Sequence, residues 1–230
     1  MNILAIETSC EAGSLALLHR GSLLERSLDG VANHSEGVLC AIESLLAEAG
    51  LKLTQLDALA YGSGPGAFTG LRLACGVVQG LALGAGLGLV PVGSLAALAA
   101  QSAANRVLAA CDARMGEIYH CAFIRNEDGL LQAVGEPDCC APARFVLPEG
   151  HWFGIGSAFA VHADGLEAGL GGRLCACRAD AVPRAAEVAA LAQAQVERGE
   201  LLAPHQALPL YVRDKVAFTT AERMARGGRG

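Results

Sequence analysis

The sequence predicts an α/β protein built from two copies of a βββαβα unit. Two observations carry this. Short apolar runs joined by tight turns open the chain and then give way to helix-period segments alternating with strands. The same opening recurs about a hundred residues later: "RVLAACDARMGEIYHCAFI" (106–124) lays onto "NILAIETSCEAGSLALL" (2–18), and self-similarity of this kind marks a duplication.

The elements follow in order. "NILAIE" (2–7) reads as a strand, "TSCEAG" (8–13) as a turn, "SLALLH" (14–19) as a second strand and "SLLERS" (22–27) as a third, together an antiparallel meander. "EGVLCAIESLLAEAG" (36–50) carries Val38, Leu39, Ile42, Leu45, Leu46 and Ala49 at helical spacing, with Ser35 placed to cap it and Gly50 to end it. "LDALAYGS" (56–63) is a strand, 69–86 a helix, "LGLVPV" (87–92) a strand and 94–104 a helix. In the second copy, 106–124 is a hairpin and 129–134 a third strand. "HWFGIG" (151–156), a helix from Ser157, "RLCAC" (173–177) and a helix over 183–199 complete a looser half. Pro137, Pro142 and Pro148 mark an irregular connection within it. The expected division is a first lobe over 1–105, a second over 106–223 and a disordered tail over 224–230. A two-lobed chain of this plan has the actin-like architecture shared by hexokinase and the Hsp70 ATPase. There, two hairpins face each other and clasp phosphates across a cleft. That analogy speaks to fold and not to function.

Composition narrows the functional classes. Apolar residues make up 53% of the 230 and aromatics 4%, so the core is aliphatic and small. The net charge of −6 argues against a surface given over to nucleic acid. Nine cysteines include no C-x-x-C pair, only the adjacent Cys139–Cys140 and Cys175-x-Cys177, so neither a disulfide framework nor a metal site is expected from them. Glu7 arrives too early for a signal peptide, and the expected compartment is the cytoplasm. No charge occurs between Arg72 and Arg106, and 73–90 is apolar enough for a membrane span. Its five glycines, the lack of an aromatic belt and the strand-like "LGLVPV" argue for a buried segment, and no membrane partner is expected.

The stretch "GSGPGAFTGLR" (62–72) concentrates Gly62, Gly64, Gly66 and Gly70. Such a cluster serves either to cradle an anion at a helix start or to admit a close neighbour. A P-loop would need a lysine where none stands, so the steric reading is favoured. Gly76, Gly80 and Gly84 then recur every four residues on one helix face, each costing about 1 kcal/mol against alanine. They imply a backbone packed very close, either inside the molecule or on a partner. The turn Thr8–Gly13, with Thr8 and Ser9 as donors, and the facing turn at Asp112–Gly116 form a candidate phosphate clasp, with "GIGS" (Gly154 and Gly156) as the nearest thing to an adenosine loop. Two ordinary hairpin turns are the alternative. In His34-Ser35-Glu36 a helix cap outweighs catalysis. No G-x-S-x-G occurs, so neither Ser9 nor Ser63 sits on a nucleophile elbow, and no catalytic residue is assigned. Arg213, Lys215, Arg223, Arg226 and Arg229 make the C-terminus basic.

Read together, "ILAIETSCEAGSLAL", "GPGAFTGLR" (64–72), "CDARMGEIY" (111–119) and "PLYVRDKVAFTTAER" (209–223) resemble the TsaB, or YeaZ, family over nearly the whole chain. The resemblance implies a part in threonylcarbamoylation of the tRNA adenosine next to the anticodon. It implies a TsaD-like transferase as heterodimer partner, a TsaE-like ATPase that joins them, and tRNA met through the complex. It allows a homodimer of the isolated chain. TsaD-type proteins carry an H-x-x-x-H metal motif after the second helix and strand. Here those positions fall on Ser94 and Leu98, and no His, Asp or Glu lies between Asp57 and Asp112. Leucine offers a metal no lone pair, so the chain is expected not to be an enzyme on its own. Leu39, Ile42 and Leu46 with Gly76, Gly80 and Gly84 form the expected partner face. ATP or ADP with magnesium is expected at most at a weak, vestigial site. The alternative is a free-standing actin-fold kinase or ATPase, whose metal and base would have to come from Glu7, Glu11 and Asp112.

Overall fold

A computed structural model describes residues 1–28 and 34–213, with only the backbone of His34. The chain forms β1 (Asn2–Glu7), β2 (Ser14–His19), β3 (Ser22–Ser27), α1 (His34–Glu48), β4 (Ala58–Gly64), α2 (Phe68–Ala85), β5 (Gly88–Gly93) and α3 (Ser94–Ala100). It continues through β6 (Arg106–Arg114), β7 (Glu117–Arg125), β8 (Leu131–Cys140), β9 (Trp152–Ile155), α4 (Ala158–Val161), α5 (Ala163–Leu170), β10 (Leu174–Arg178) and α6 (Ala185–Glu197).

The two sheets repeat one plan. The first runs β3-β2-β1-β4-β5 and the second β8-β7-β6-β9-β10. In each, three antiparallel strands are followed by two parallel ones. This is the duplicated actin-like arrangement that the recurrence of 2–18 at 106–124 predicts.

Five layers result. Leu4, Ile6, Leu15, Leu17, Leu59 and Tyr61 turn one face of the first sheet toward α1 and α2. The alternate residues Ile3, Ala5, Ala16, Ala58 and Ala60 face the other way and pack on α6 through Ala185, Val188, Ala189 and Ala192. Period-two alternation thus builds two cores from one sheet. The second sheet presents Leu108, Ala110, Ile118 and Trp152 to α4 and α5. Its other face packs on Leu95, Leu98 and Ala99 of α3. The lone tryptophan is wholly buried there.

A division at residue 105 therefore separates the strands but not the helices. α3, from the first half of the sequence, covers the second sheet, while α6, from the second half, covers the first. The alanines on both α6 and the strands it crosses let backbones approach closely enough for this exchange. The C-terminal stretch returns as well: Leu202 bridges Leu89, the Leu210 N–H donates to the Ser63 carbonyl at 2.7 Å, and the Tyr61 hydroxyl donates to the Leu208 carbonyl.

Boundaries moved in several places, among them the helix expected over 94–104, which ends at Ala100. Ser35 lies inside the first turn of α1 rather than at its cap. The second hairpin turns on Met115 and Gly116 alone, with Arg114 and Met115 at positive φ. The helix expected from Ser157 is two short ones, α4 and α5. The strand expected at 129–134 extends to Cys140 and passes through Pro137. It is an edge strand, where a missing N–H costs no ladder bond. The expected tail over 224–230 lies outside the described residues.

Candidate functional site

The turn 8–13 and the second hairpin face each other across a cleft of about 590 Å³. Pro65–Phe68 walls one side and Leu210–Arg213 another. Arg114 Nη2 donates to Glu11 Oε1 at 2.7 Å and ties the two turns together, with both side chains largely exposed.

The glycines of 62–72 are there for sterics. A Cβ on Gly70 would collide with the Thr8 carbonyl, one on Gly66 with the Ser9 carbonyl, and one on Gly62 with the Glu7 carboxylate. The first hairpin turn is thus pressed into the glycine loop. Thr8 Oγ1 donates to the Gly70 carbonyl at 2.8 Å, and the Ala67 N–H donates to the Ser9 carbonyl at 2.7 Å.

Glu7 sits behind this contact, wholly buried. It accepts from the Ser9 N–H at 2.6 Å and from the Ser94 hydroxyl at 2.9 Å. Burial raises its carboxyl pKa above the usual range, opposed by those hydrogen bonds. The hydroxyl of Thr8 and the N–H of Ser9 are therefore engaged within the protein, next to a carboxyl group. That is a poor fit to a phosphate clasp.

Of the other candidates, Asp112 and Ser9 line the cleft, whereas Thr8, Gly13, Gly154 and Gly156 do not. Gly13 is buried and its carbonyl accepts from the Leu28 N–H. A Cβ on Gly154 would strike the Phe159 ring, and Gly156, at φ +116°, abuts the Ala110 carbonyl. Both glycines are spent on packing. Asp112 accepts from the Arg114 N–H at 3.0 Å, and its Oδ1 lies 2.8 Å from His162 Nε2. Glu7, Glu11 and Asp112 are each engaged within the protein. The Cys111 thiol is pushed up to about 12 by burial, then by Cys10, so it is no ready nucleophile.

Sequence reasoning missed the meeting of two of its own strings. Arg72 of "GLR" donates through Nε to the Tyr211 hydroxyl at 3.0 Å and stacks 4.0 Å from the Phe68 ring, which packs on Tyr211. Arg213 is not a free cation: it pairs with Glu117 at 2.6 Å and its side chain is largely covered. Lys215, Arg223, Arg226 and Arg229 lie outside the described residues.

The expected partner face divides. Ile42 and Leu46 are buried in the core beneath α1, because both fall on the stripe that carries Val38 and Leu45. They are corrected from interface to core. Leu39 is 52% exposed. Gly76, Gly80 and Gly84 are exposed on α2, and a Cβ on any of them would meet nothing. Among the described residues, α2 is the one helix long and apolar enough to cross a membrane. Its stripe of Leu71, Ala74, Cys75, Val78 and Ala82 is buried, mostly against the first sheet.

Comparison with known proteins is consistent with this geometry. The model of the TsaD family, described as tRNA N6-adenosine threonylcarbamoyltransferase, matches residues 29–219. A protein of Escherichia coli (strain K12) named tRNA threonylcarbamoyladenosine biosynthesis protein TsaB is 36% identical, covering 95% of this chain and 97% of its own. The protein of the same name from Haemophilus influenzae is 34% identical over 95% and 96%. The solved structure of YeaZ from Pseudomonas aeruginosa superimposes with a TM-score of 0.81 at 37% identity, covering 91% of this chain and 99% of that one. Full-length likeness to proteins named TsaB and YeaZ, on one duplicated fold, decides the matter: the chain belongs to the TsaB (YeaZ) family.

Proposed function

We propose that this protein is a non-catalytic subunit in the threonylcarbamoylation of tRNA adenosine, and that it docks a TsaD-like transferase through α2 and the exposed side of α1. A TsaE-like ATPase joins the pair, tRNA is met through the complex, and the compartment is the cytoplasm. One observation carries the docking: the glycine stripe of α2 faces open space. Each glycine in a helix interior costs about 1 kcal/mol relative to alanine. No neighbour within the described chain offsets that cost, so the stripe suits a backbone that arrives from outside. Leu83, on α2 beside Gly80 and Gly84, is 79% exposed and adds apolar surface to it, and Leu39 is exposed on α1. The same self-complementary patch accounts for a homodimer of the isolated chain.

The non-catalytic half rests on Ser94 and Leu98. Ser94 is wholly buried and bound to Glu7, and Leu98 is sealed in the core of the second sheet. Neither position offers the histidine that the TsaD motif requires. Nucleotide, if bound, is held weakly, since Thr8 Oγ1 and the Ser9 N–H are already engaged.

The test is Gly80→Leu. The variant should fold with a melting temperature no lower than that of the unmodified chain, because the site is open and a helix-interior glycine is replaced by a better helix former, and bind a TsaD-like partner at least tenfold more weakly, about 1.4 kcal/mol. Unchanged affinity would remove α2 from the interface. In parallel, purified protein mixed with tRNA, ATP and the adenylate-forming enzyme should yield no modified adenosine until a TsaD-like protein is added. Modification without it would overturn the non-catalytic reading.

A further inference from the structure

The β7–β8 ladder gathers three side chains of metal-ligating chemistry, none of which lines the cleft. His120 pairs directly with Asp138, and Ile118 with Cys140, so His120, Asp138 and Cys140 share one face of the sheet. The ladder reaches this register through an irregularity: between the pairs His120–Asp138 and Ala122–Val134, one residue of β7, Cys121, stands opposite three of β8, Gly135, Glu136 and Pro137. Gly135 lies within it at φ +89°. Without the two extra residues the partners of His120 would differ, and the cluster would not form.

We propose that His120, Asp138 and Cys140 form a binding site for a zinc-class divalent cation. The ligand atoms all lie within 4.8 Å of one another. Cys140 Sγ is 3.3 Å from His120 Nε2, and that nitrogen is 3.9 Å from Asp138 Oδ2. A tetrahedral ion with metal–nitrogen bonds of about 2.0 Å and metal–sulfur bonds of about 2.3 Å has ligand–ligand edges of roughly 3.3–3.5 Å for one sulfur, so the site closes when the exposed Asp138 carboxylate moves in toward the other two ligands. One thiolate, one imidazole and one carboxylate is a donor set that suits zinc and rejects magnesium and calcium. The fourth position is left to water on the side of Asp138, whose side chain is 66% exposed.

The surroundings agree. His120 is buried, with the Phe145 ring 5.5 Å away. Burial lowers its pKa, so its nitrogen lone pair is present at neutral pH. The Cys140 thiol is pushed up to about 11 by burial and by Asp138, Cys139 and Glu117. A cation must displace the thiol proton, a cost that the metal–sulfur bond has to offset, and each ion bound releases one proton to solvent. Cys139 points to the other face, toward Glu117, and serves as an internal control.

The experiment uses the full chain, reduced and metal-free, titrated with cobalt(II) and then zinc. One equivalent of cobalt should give thiolate-to-metal absorption and tetrahedral visible bands, which zinc displaces. Cys140→Ser should abolish the absorption, Asp138→Asn should weaken binding at least tenfold, and Cys139→Ser should change neither. Asp138 is exposed, so its variant keeps the test decisive should a His120 variant fail to fold. Absence of thiolate absorption in the unmodified chain would overturn the proposal. So would absorption that survives Cys140→Ser, or that is lost with Cys139, Cys175 or Cys177.

Discussion

Two glycines of one helix behave oppositely because their neighbours differ. Gly70, at the start of α2, touches the Thr8 carbonyl, whereas Gly80, three turns on, faces open space. Gly70→Ala should lower stability by about 1–3 kcal/mol, since a backbone carbonyl must move. Gly80→Ala should raise it by about 0.5–1 kcal/mol, by restricting the unfolded chain. Urea midpoints of the two variants check both signs. Glu7 is the second residue whose surroundings set its behaviour. Burial holds its pKa above the ordinary value of 4.5, so in the window just above that value the folded protein binds the proton more tightly than the unfolded chain. Stability contributed by the protonated group is therefore lost as pH rises through that window, and is level beyond it. Glu7→Gln removes the titration. The stability of the unmodified protein minus that of the variant should fall as pH rises above the ordinary carboxyl value of 4.5. A difference that grew with pH would mean the carboxylate is the favoured form.

At the scale of elements, α1 shows a helix with two separate duties. Ile42 and Leu46 seal the core over the first sheet, while Leu39 projects outward a little under one turn away from Ile42. Ile42→Ala should cost about 2–5 kcal/mol, the range for an emptied core position. Leu39→Ala should leave the melting temperature nearly unchanged and reduce affinity for the TsaD-like partner. Thermal melts and a binding titration on the two variants separate packing from docking. A Leu39 variant that bound the partner with full affinity would confine the interface to α2.

At the scale of the molecule, the two halves are joined by exchanged helices and by contacts across the cleft. The hairpins that grip phosphate in other actin-like proteins are here tied by Glu11 and Arg114, with Leu210–Arg213 along the wall. Calorimetry with ATP and magnesium should therefore detect no tight complex. A submicromolar dissociation constant, lost in Thr8→Val and Gly13→Ala variants, would show that the turn opens to receive a nucleotide.

The strands, the duplication and the glycine stripe were legible in the sequence because each depends on neighbours a few residues away. Period-two alternation in "NILAIE", helical spacing in "EGVLCAIESLLAEAG" and the recurrence of one pattern at 2–18 and 106–124 are local records of burial. The likeness to the TsaB (YeaZ) family was legible for the same reason, in short strings such as "GPGAFTGLR" and "CDARMGEIY". What periodicity could not say is which sheet a helix covers. α6 is apolar on the correct side, yet nothing in that pattern records that the side meets β1 and β4 rather than β9 and β10. Nor could spacing separate Leu39 from Ile42, or reveal that Glu7 occupies the donors of Ser9 and Ser94, 2 and 87 residues away. His120, Asp138 and Cys140 match no ligand spacing, because two strands running in opposite directions and an irregular register bring them together. Contacts of that kind belong to the ladder and the layers, and they exist only once the chain has closed on itself.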